Sequence, residues 1–373
     1  MGTLSDRPPI PGKDLHLTLD NDLQMAAELA LGNRPGAVVA LNPHTGGVLA
    51  LVSRPTFDPN LFTQGLPAKQ WEQWVNDPDR PLMDKAIQAQ LAPGSVFKLV
   101  LSVAGLQSNI AETKTVDCKG VFYYYGHPYH CWIAATGGHH GVLNIGQAIT
   151  ESCDIYFYTL GAQLGIDTID QYAFALGLGK PTGIDLPGEA SGLIPTPAWK
   201  EKYYHQPWYK GETVSVAIGQ GPITVTPIQL ARLAGGIASG GHFPRPHLDQ
   251  EAANPAGFDL PLTATTVDTI TNAMRGVVDP GGTAASAHLQ GVDFGGKTGT
   301  AQTISNQKLH TITGSHRQYV DNAWFVGISP VQDPDIAVCV LYQRGAEGSY
   351  AARIAARVVA AFHQEQKTRM TGN

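Results

Sequence analysis

Three short motifs, far apart in the chain, constrain the fold more than any other feature of this sequence. They are Ser95-Val-Phe-Lys98, Ser152-Cys-Asp154 and Lys297-Thr-Gly-Thr300. Each carries residue types that acyl transfer on a serine requires, namely a nucleophile, lysine bases, and hydroxyl or backbone donors. For the motifs to act together, the fold has to bring three distant segments to one cleft.

The first motif predicts a nucleophile at the start of a helix. Pro93-Gly94 breaks the preceding structure, and apolar residues follow Ser95 at helical spacing. An offset of three places Lys98 one turn along the same face, where its amine can take the hydroxyl proton of Ser95. The unpaired backbone N–H of Ser95 and the positive end of the helix favour an oxyanion. In isolation, the same pattern is more often a helix cap followed by a surface lysine.

The second motif predicts a proton relay. A helix approaching the site would place the hydroxyl of Ser152 between the lysines and the leaving amine. Near Lys98 and Lys297, the carboxylate of Asp154 either stays ionised and raises the pKa of both amines or shares a proton with one of them. A local cap or turn is the alternative interpretation of Ser152 and Asp154.

The third motif predicts a strand at the border of the cleft. There, Lys297 would offer positive charge to a substrate carboxylate, and the hydroxyls of Thr298 and Thr300 would contact the substrate. The backbone N–H of Thr300 would be the second oxyanion donor. Gly299 suits a position that a ligand backbone approaches closely. By itself, such a motif is also compatible with an ordinary turn or edge strand.

Together, the three motifs are those of penicillin-binding proteins and class A β-lactamases. The chain resembles the transpeptidase domain of class B penicillin-binding proteins, of the type that serves cell elongation in rod-shaped bacteria, from about Gly12 to its end. The resemblance implies an α+β fold in which an antiparallel sheet packs with helices and carries a mostly helical subdomain. Beyond the motifs, the similarity extends to Leu17-Thr-Leu-Asp20, Gly36-Ala-Val-Val-Ala-Leu-Asn-Pro43, Gly183-Ile-Asp-Leu-Pro-Gly-Glu189, Ile218-Gly-Gln-Gly221 and Ala323-Trp-Phe-Val-Gly327.

The resemblance also implies a reaction. Ser95 would attack the penultimate D-Ala carbonyl of a peptidoglycan stem peptide, and an amine on a second stem would resolve the acyl-enzyme into a D,D-cross-link. β-Lactams would acylate Ser95 as substrate mimics, and catalysis would need no cofactor. Lys98 would act as a neutral base, which burial and the like charge of Lys297 favour by lowering its pKa. In related enzymes, Asn is more common at the position of Asp154.

Two other classes of function compete with this interpretation. A D,D-carboxypeptidase or β-lactamase would use the same chemistry, with water resolving the acyl-enzyme, although no glutamate stands in an obvious context for a deacylating base. A β-lactam-binding sensor or an idle scaffold is the second alternative, and the complete motifs argue against an idle site. The charge of −6 and the pI near 6.1, without a basic stripe, argue against a nucleic-acid partner.

The cysteines pose a separate question. Three of the four lie in a histidine-rich segment, and Cys339 stands alone in an apolar strand as a predicted core thiol. If the protein works in an oxidising compartment, the default expectation for these cysteines is a Cys118–Cys131 disulfide, with Cys153 left as a buried thiol. A tetrahedral zinc site and unbound thiols are the alternatives, since zinc prefers Cys and His ligands.

The family resemblance bears on this choice. Some related sequences carry a structural metal site formed by two carboxylates, a histidine and a cysteine within the second motif. Aligned with them, Cys118, Cys131, His140 and Cys153 occupy the four ligand positions, with His139 as a neighbouring substitute for His140. Because Cys153 lies inside the second motif, a zinc ion there would brace the motif and take no part in the chemistry.

Residues 1–11 are interpreted as a linker remnant and residues 12–373 as the transpeptidase domain. No stretch has the uninterrupted apolar length of a membrane span, and no signal peptide is visible. By resemblance, the chain is the periplasmic domain of a protein anchored in the inner membrane by a segment absent from it. The same resemblance implies a membrane-embedded glycan polymerase of the elongation complex as partner.

Hydrophobic periodicity predicts a helix-backed antiparallel sheet. Residues 110–215 are expected to be mostly helical with loops. The predicted strands and helices outside that region are Ala37–Leu41, Val48–Val52, Thr265–Val278, Ala323–Ile328, Ile336–Tyr342 and Ala351–Phe362.

Overall fold

A five-stranded antiparallel sheet forms the centre of the molecule. The fold is that of a computed structural model, which describes residues 10–251, 256–302 and 320–371. The strand order is β2-β1-β11-β10-β9. These strands are β1 (Gly36–Leu41), β2 (Val48–Arg54), β9 (Gly295–Ala301), β10 (Asn322–Ser329) and β11 (Ile336–Tyr342). Most of the predicted linker over residues 1–11 lies outside the described residues.

Between β2 and β9 the chain forms short strands and most of the helices. The short strands pair as β3 with β6, β4 with β5 and β7 with β8. They are β3 (Val116–Cys118), β4 (Val121–Tyr124), β5 (His127–His130), β6 (Gly141–Leu143), β7 (His242–Phe243) and β8 (Phe258–Asp259).

Thirteen α-helices surround the sheet in the described part of the chain. They are α1 (Asn21–Leu31), α2 (Asn60–Gln64), α3 (Ala68–Asn76), α4 (Lys85–Gln88), α5 (Lys98–Gln107), α6 (Ile145–Thr150), α7 (Asp154–Leu164), α8 (Ile166–Ala175), α9 (Pro197–Tyr204), α10 (Lys210–Ala217), α11 (Pro227–Ala238), α12 (Ala264–Val278) and α13 (Gly348–Thr371). None of these described helices is long and apolar enough to cross a membrane.

Two apolar cores lie on opposite faces of the sheet. Side chains alternate between the faces of a strand, so neighbouring residues of β10 and β11 enter different cores. Trp324 and Cys339 pack with the helical part of the chain, which includes α5, α7 and α11. Phe325 and Val340 pack with α1 and α13 on the other face. Because β10 and β11 are buried on both faces, they appear in the sequence as nearly continuous apolar runs.

The predicted sheet and its flanking helices are confirmed, with the terminal helix starting at Gly348 and ending at Thr371. The expectation for residues 110–215 was incomplete, because this region also holds the four strands β3 to β6. Strands of three or four residues that are only half buried give little alternation in the sequence. These strands position the cysteine-containing segment described below.

Candidate active site

The nucleophile motif lies at a tight turn that packs against the third motif. Gly94–Phe97 forms a 3-10 turn, and the α-helix begins at Lys98, so the predicted helix starts with 3-10 geometry at the serine. Gly94 has φ of +54°, and a Cβ atom there would lie 2.4 Å from the carbonyl oxygen of Thr300. A glycine is therefore required for the nucleophile turn to approach β9, and this approach brings Ser95 and Thr300 to one cavity.

Ser152 is held in a strained conformation between two helices. It follows α6 and precedes α7, with φ of +50°, which is uncommon for a residue other than glycine. Its hydroxyl accepts hydrogen bonds from the amines of both motif lysines. The distance to Oγ is 2.9 Å from Lys297 Nζ and 3.3 Å from Lys98 Nζ. Strained residues of this kind concentrate at functional sites.

Lys98 forms a buried ion pair with Asp154. Its Nζ lies 2.6 Å from Asp154 Oδ1 and also donates to the carbonyl oxygen of Ser152 at 2.8 Å. The other carboxylate oxygen accepts from the backbone N–H of Trp132 at 2.9 Å. Among the described residues, no hydrogen bond joins Lys98 to the hydroxyl of Ser95. The expected contact is absent because a carboxylate attracts the amine more strongly than a neutral hydroxyl does.

Lys297 is fully buried beside this ion pair. Burial, reinforced by the positive charge of Lys98, holds the pKa of Lys297 well below its usual value, and the carboxylate of Asp154 opposes the shift. Besides its bond to Ser152, Lys297 Nζ donates a hydrogen bond to the carbonyl oxygen of Thr298 at 3.2 Å. The surroundings of Lys297 thus favour its neutral form. From the sequence, Lys98 was expected to be the neutral base.

The residues of β9 divide between the cavity and the interior. Thr298 and Thr300 line the cavity. A Cβ atom on Gly299 would lie 2.7 Å from the carbonyl oxygen of Pro93 and 2.9 Å from Val96 Cγ2. The nucleophile turn therefore makes the close approach that requires a glycine at position 299. From the sequence, the backbone of a ligand was expected to make this approach.

The cavity has a volume of about 790 Å³ and opens to solvent. Ser95, Ser152 and Asp154 line it together with the β9 threonines, so all three motifs meet there. Several other lining residues were not foreseen from the sequence: His130, Trp132, Tyr158, Gln220, Thr283 and Ser349. Gln220, within the Ile218-Gly-Gln-Gly221 segment, donates to the carbonyl oxygen of Thr300 at 3.2 Å. The local sequence of the other five carries no signal, because tertiary contacts bring them to the cavity.

Cys118, Cys131, His140 and Cys153 form a compact cluster behind the second motif. One ligand atom from each lies within 4.8 Å of the others. His140 Nδ1 lies 3.6 Å from the sulfurs of both Cys118 and Cys131. The structure therefore brings the four predicted ligand residues together, whereas His139 is exposed and lies outside the cluster.

All four cysteines are unpaired and buried, and no disulfide joins Cys118 to Cys131 in the described structure. A hydrogen bond from Cys153 lowers the pKa of Cys131 to about 6. The same interaction, with burial, raises the pKa of Cys153. Cys339 is fully buried in the strand β11, as expected for a core thiol.

Comparison with known proteins identifies the class of this fold and site. Residues 36–362 match the family model described as penicillin binding protein transpeptidase domain. A curated relative, the peptidoglycan D,D-transpeptidase MrdA of Acinetobacter baumannii, is 37% identical over 94% of this chain. The chain belongs to the penicillin-binding protein transpeptidase family, which confirms the resemblance seen in the sequence.

Solved structures show the same fold. The structure of Pseudomonas aeruginosa PBP2 in complex with WCK 5153 matches with a TM-score of 0.85 and 37% identity, covering 95% of this chain and 76% of that one. A peptidoglycan synthase complex that coordinates polymerization and crosslinking contains a chain with a TM-score of 0.84 and 34% identity, covering 95% of this chain and 63% of that one. The chain spans 54% of the length of the A. baumannii relative.

Proposed function

We propose that this chain is a peptidoglycan D,D-transpeptidase that acts through an acyl-enzyme on Ser95. One observation carries the proposal: the amines of Lys98 and Lys297 both donate to the hydroxyl of Ser152 at the wall of the cavity that Ser95 also lines. This arrangement offers a nucleophile, a proton relay and, in Lys297, a buried amine that can act as the base within one cleft. The match to the transpeptidase family supports it.

In the proposed reaction, Ser95 Oγ attacks the penultimate D-Ala carbonyl carbon of a stem peptide. The bond from that carbon to the nitrogen of the terminal D-Ala then breaks. The serine proton passes to the leaving amine through Ser152, with neutral Lys297 as the first acceptor, and D-Ala departs. An amine of a second stem attacks the ester, forms the D,D-cross-link and returns a proton to Ser95.

The other site residues are proposed to bind the substrate and its transition state. The backbone N–H groups of Ser95 and Thr300 would stabilise the oxyanion, because they belong to segments that meet at the cavity. The hydroxyls of Thr298 and Thr300 would bind the substrate carboxylate. Asp154 would fix the position of Lys98 through their ion pair, at 2.6 Å.

Labelled penicillin tests this function. The wild-type chain should form a stable adduct, and peptide mapping should place it on Ser95. Ser95→Ala should form none, whereas Ser191→Ala, at an exposed serine, should react as the wild type does. A label on Ser95→Ala would contradict the proposal. Rapid release of hydrolysed antibiotic by the wild type would instead indicate the β-lactamase alternative, in which water resolves the acyl-enzyme.

We also propose that the protein works at the periplasmic face of the inner membrane beside a membrane-embedded glycan polymerase. The solved synthase complex supports this, since a chain of the same fold occurs there in an assembly that couples polymerization to crosslinking. Copurification of the full-length protein with a polytopic polymerase from detergent-solubilised membranes tests the partnership. Its absence from such a complex would contradict the proposal.

We further propose that the Cys118, Cys131, His140 and Cys153 cluster holds a structural zinc ion. In a tetrahedral site, a zinc–sulfur bond of about 2.3 Å and a zinc–nitrogen bond of about 2.05 Å separate the two ligand atoms by about 3.6 Å. Both sulfur–nitrogen distances to His140 Nδ1 are 3.6 Å. Three thiolates and one imidazole are a donor set that favours zinc over harder cations.

Metal analysis of the purified protein tests this proposal. One zinc per chain is expected from elemental analysis, together with a native mass higher by one zinc ion. Cys118→Ser should lose the metal, and Cys339→Ser, a buried cysteine outside the cluster, should keep it. A native mass lower by two hydrogens, with no metal, would show a disulfide and refute the zinc site.

A further inference from the structure

One exposed surface beside the catalytic cavity is unusually rich in tyrosine. It is formed by the β4–β5 hairpin, helix α9 and the start of α10. Four tyrosines of these elements that lie in the turn, in α9 and before α10 are between 54% and 73% exposed, and two exposed lysines accompany them. We call this the tyrosine–lysine surface: Tyr125, Lys202, Tyr203, Tyr204, Tyr209 and Lys210. Clusters of large exposed side chains of this kind mark binding sites on soluble proteins.

Contacts between the hairpin and α10 join the two halves of this surface. Lys210 Nζ donates to Tyr125 Oη at 2.9 Å, and the same amine lies 5.4 Å from the centre of the Tyr125 ring. Behind it, the hydroxyl of Tyr129 donates to the carbonyl oxygen of Gly211 at 3.4 Å. The hairpin and α10 therefore present one continuous face.

Contacts within α9 and α10 fix the rest of the surface. Lys200 Nζ lies 4.0 Å from the centre of the Tyr209 ring and forms an ion pair with Glu212 at 2.6 Å. The ring of Trp199 lies 6.0 Å from that of Tyr203 and 5.4 Å from that of Tyr204. Rings held in place by such contacts lose little freedom when they bind a ligand.

Tyr125 occupies a backbone position that tyrosine does not favour. Tyr124 pairs with His127, so Tyr125 and Gly126 form a two-residue hairpin loop, with φ of +49° and +79°. Positive φ at both residues is typical of a type I′ turn, whose first position favours Asn, Asp or Gly. The backbone preference of the turn therefore does not explain the tyrosine, so the reason for it lies in its ring, which packs on Tyr124 at 4.7 Å and is 73% exposed.

The hairpin links this surface to the catalytic cavity. His130, at the end of β5, lines the cavity, and Tyr125 lies at the other end of the hairpin. Gly126 and the first three residues of β5 lie between them, which corresponds to a separation of roughly 13 Å. An extended peptide of about four residues covers the same distance. A polymer bound at Tyr125 could thus place a peptide branch of that length in the cavity.

The charge of the surface suits an anionic polymer. Lys202 and Lys210 are exposed, whereas the ammonium of Lys200 is already neutralised by Glu212. Glu201 is the one acidic residue of α9, and the hairpin contains no acidic residue. In a chain with a net charge of −6, this face is locally positive and would attract carboxylates.

We propose that the tyrosine–lysine surface binds the glycan strand of peptidoglycan, a chain of sugar rings with carboxylate-bearing substituents. The inference rests on the proposed transpeptidase function. The tyrosine rings would pack on the apolar faces of the sugars, while their hydroxyls and the two ammonium groups would bind sugar hydroxyls and carboxylates. A strand held there would leave its stem peptide free to reach Ser95.

Sedimentation of the chain with purified cell-wall sacculi tests this proposal. The wild type should sediment, and Tyr125→Ala/Tyr209→Ala should bind about tenfold more weakly, since each exposed aromatic contact is worth roughly a few-fold in affinity. Lys210→Ala should reduce binding mainly at low salt. Phe62→Ala/Trp71→Ala, which removes two similarly exposed rings from α2 and α3, is the matched control and should bind as the wild type does.

Two further measurements separate this surface from the catalytic site. Every variant should react with labelled penicillin at the wild-type rate, so a failure of acylation counts against the proposed function and not against the glycan site. Sacculi stripped of stem peptides by an amidase should still bind the wild type. The proposal is overturned if the wild type does not sediment, if the tyrosine variant binds normally, or if binding disappears with the stem peptides.

Discussion

At the scale of single residues, the site assigns different electrostatic environments to its two lysines. Lys98 is paired with Asp154, and the carboxylate is held in turn by the backbone of Trp132. Lys297 has no carboxylate within hydrogen-bond distance in the described structure, and its burial favours the neutral amine. The carboxylate of Asp154 thus decides which lysine can accept a proton.

The acylation rate should rise with pH as Lys297 loses its proton, because only the neutral amine can accept the proton of the serine. The lowered pKa of Lys297 places the midpoint of this rise well below 10.5, the usual value for lysine. Second-order rates of acylation by fluorescent penicillin from roughly pH 5 to pH 10 measure it. A rise confined to the region near 10.5 would assign the base to another group.

Asp154→Asn provides a second test of the same assignment. The carboxylate raises the pKa of Lys297, so its removal should lower that pKa further and move the acidic limb of the profile to lower pH. The amide can still accept from the backbone N–H of Trp132, which preserves the local geometry. A shift of the limb to higher pH would contradict the role of Lys297.

At the scale of secondary-structure elements, the strand β9 and the nucleophile turn depend on each other's backbone. Gly299→Ala should disturb this contact, since the new methyl group would lie 2.7 Å from Pro93 O. We expect a loss of stability of about 1–3 kcal/mol. We also expect acylation slower by about tenfold, because a shift of Ser95 by a fraction of an ångström misaligns the nucleophile.

Thermal unfolding and acylation rates measure the effect of Gly299→Ala. Gly146→Ala is the matched control, since it lies in α6 with its nearest neighbour, Asn144 Oδ1, at an ordinary 3.5 Å from the added methyl. Alanine is favoured over glycine in a helix, so the control should be neutral or slightly stabilising. If Gly299→Ala is acylated at the wild-type rate, the nucleophile turn tolerates displacement by the added methyl group.

The same elements show what the sequence could and could not predict. The strands β10 and β11 and the helix α12 follow from long periodic patterns, which local sequence encodes. The convergence of Ser95, Ser152 and Lys297 follows from their motifs. The proximity of Asp154 to the two lysines was expected as well, but its pairing with Lys98 and not with Lys297 does not follow from the sequence, because it depends on the distance and burial of residues 56 positions apart. The bond from Trp132 to Asp154 likewise depends on the short strands that the sequence pattern missed.

At the scale of the whole molecule, the cysteine cluster belongs to one of the two apolar cores and not to the other. The core that packs with the helical part includes all three cysteines of the cluster, Cys118, Cys131 and Cys153. The core between the sheet and α1 with α13 contains none of the four cluster residues. A metal bound by the cluster would therefore stabilise the segments around the second motif, with little effect on the opposite face of the sheet.

Removal of the proposed zinc ion should loosen one part of the molecule. After treatment with a chelator, hydrogen exchange followed by mass spectrometry should show faster exchange in residues 116–165, which contain the cluster and the helix α7. Peptides from β11 and α13 should keep their protection, because their packing involves no cluster residue. Cys118→Ser without chelator should reproduce the pattern. Equal loss of protection in all peptides would mean that the chain unfolds as one unit, and unchanged exchange would mean that no ion braces the second motif.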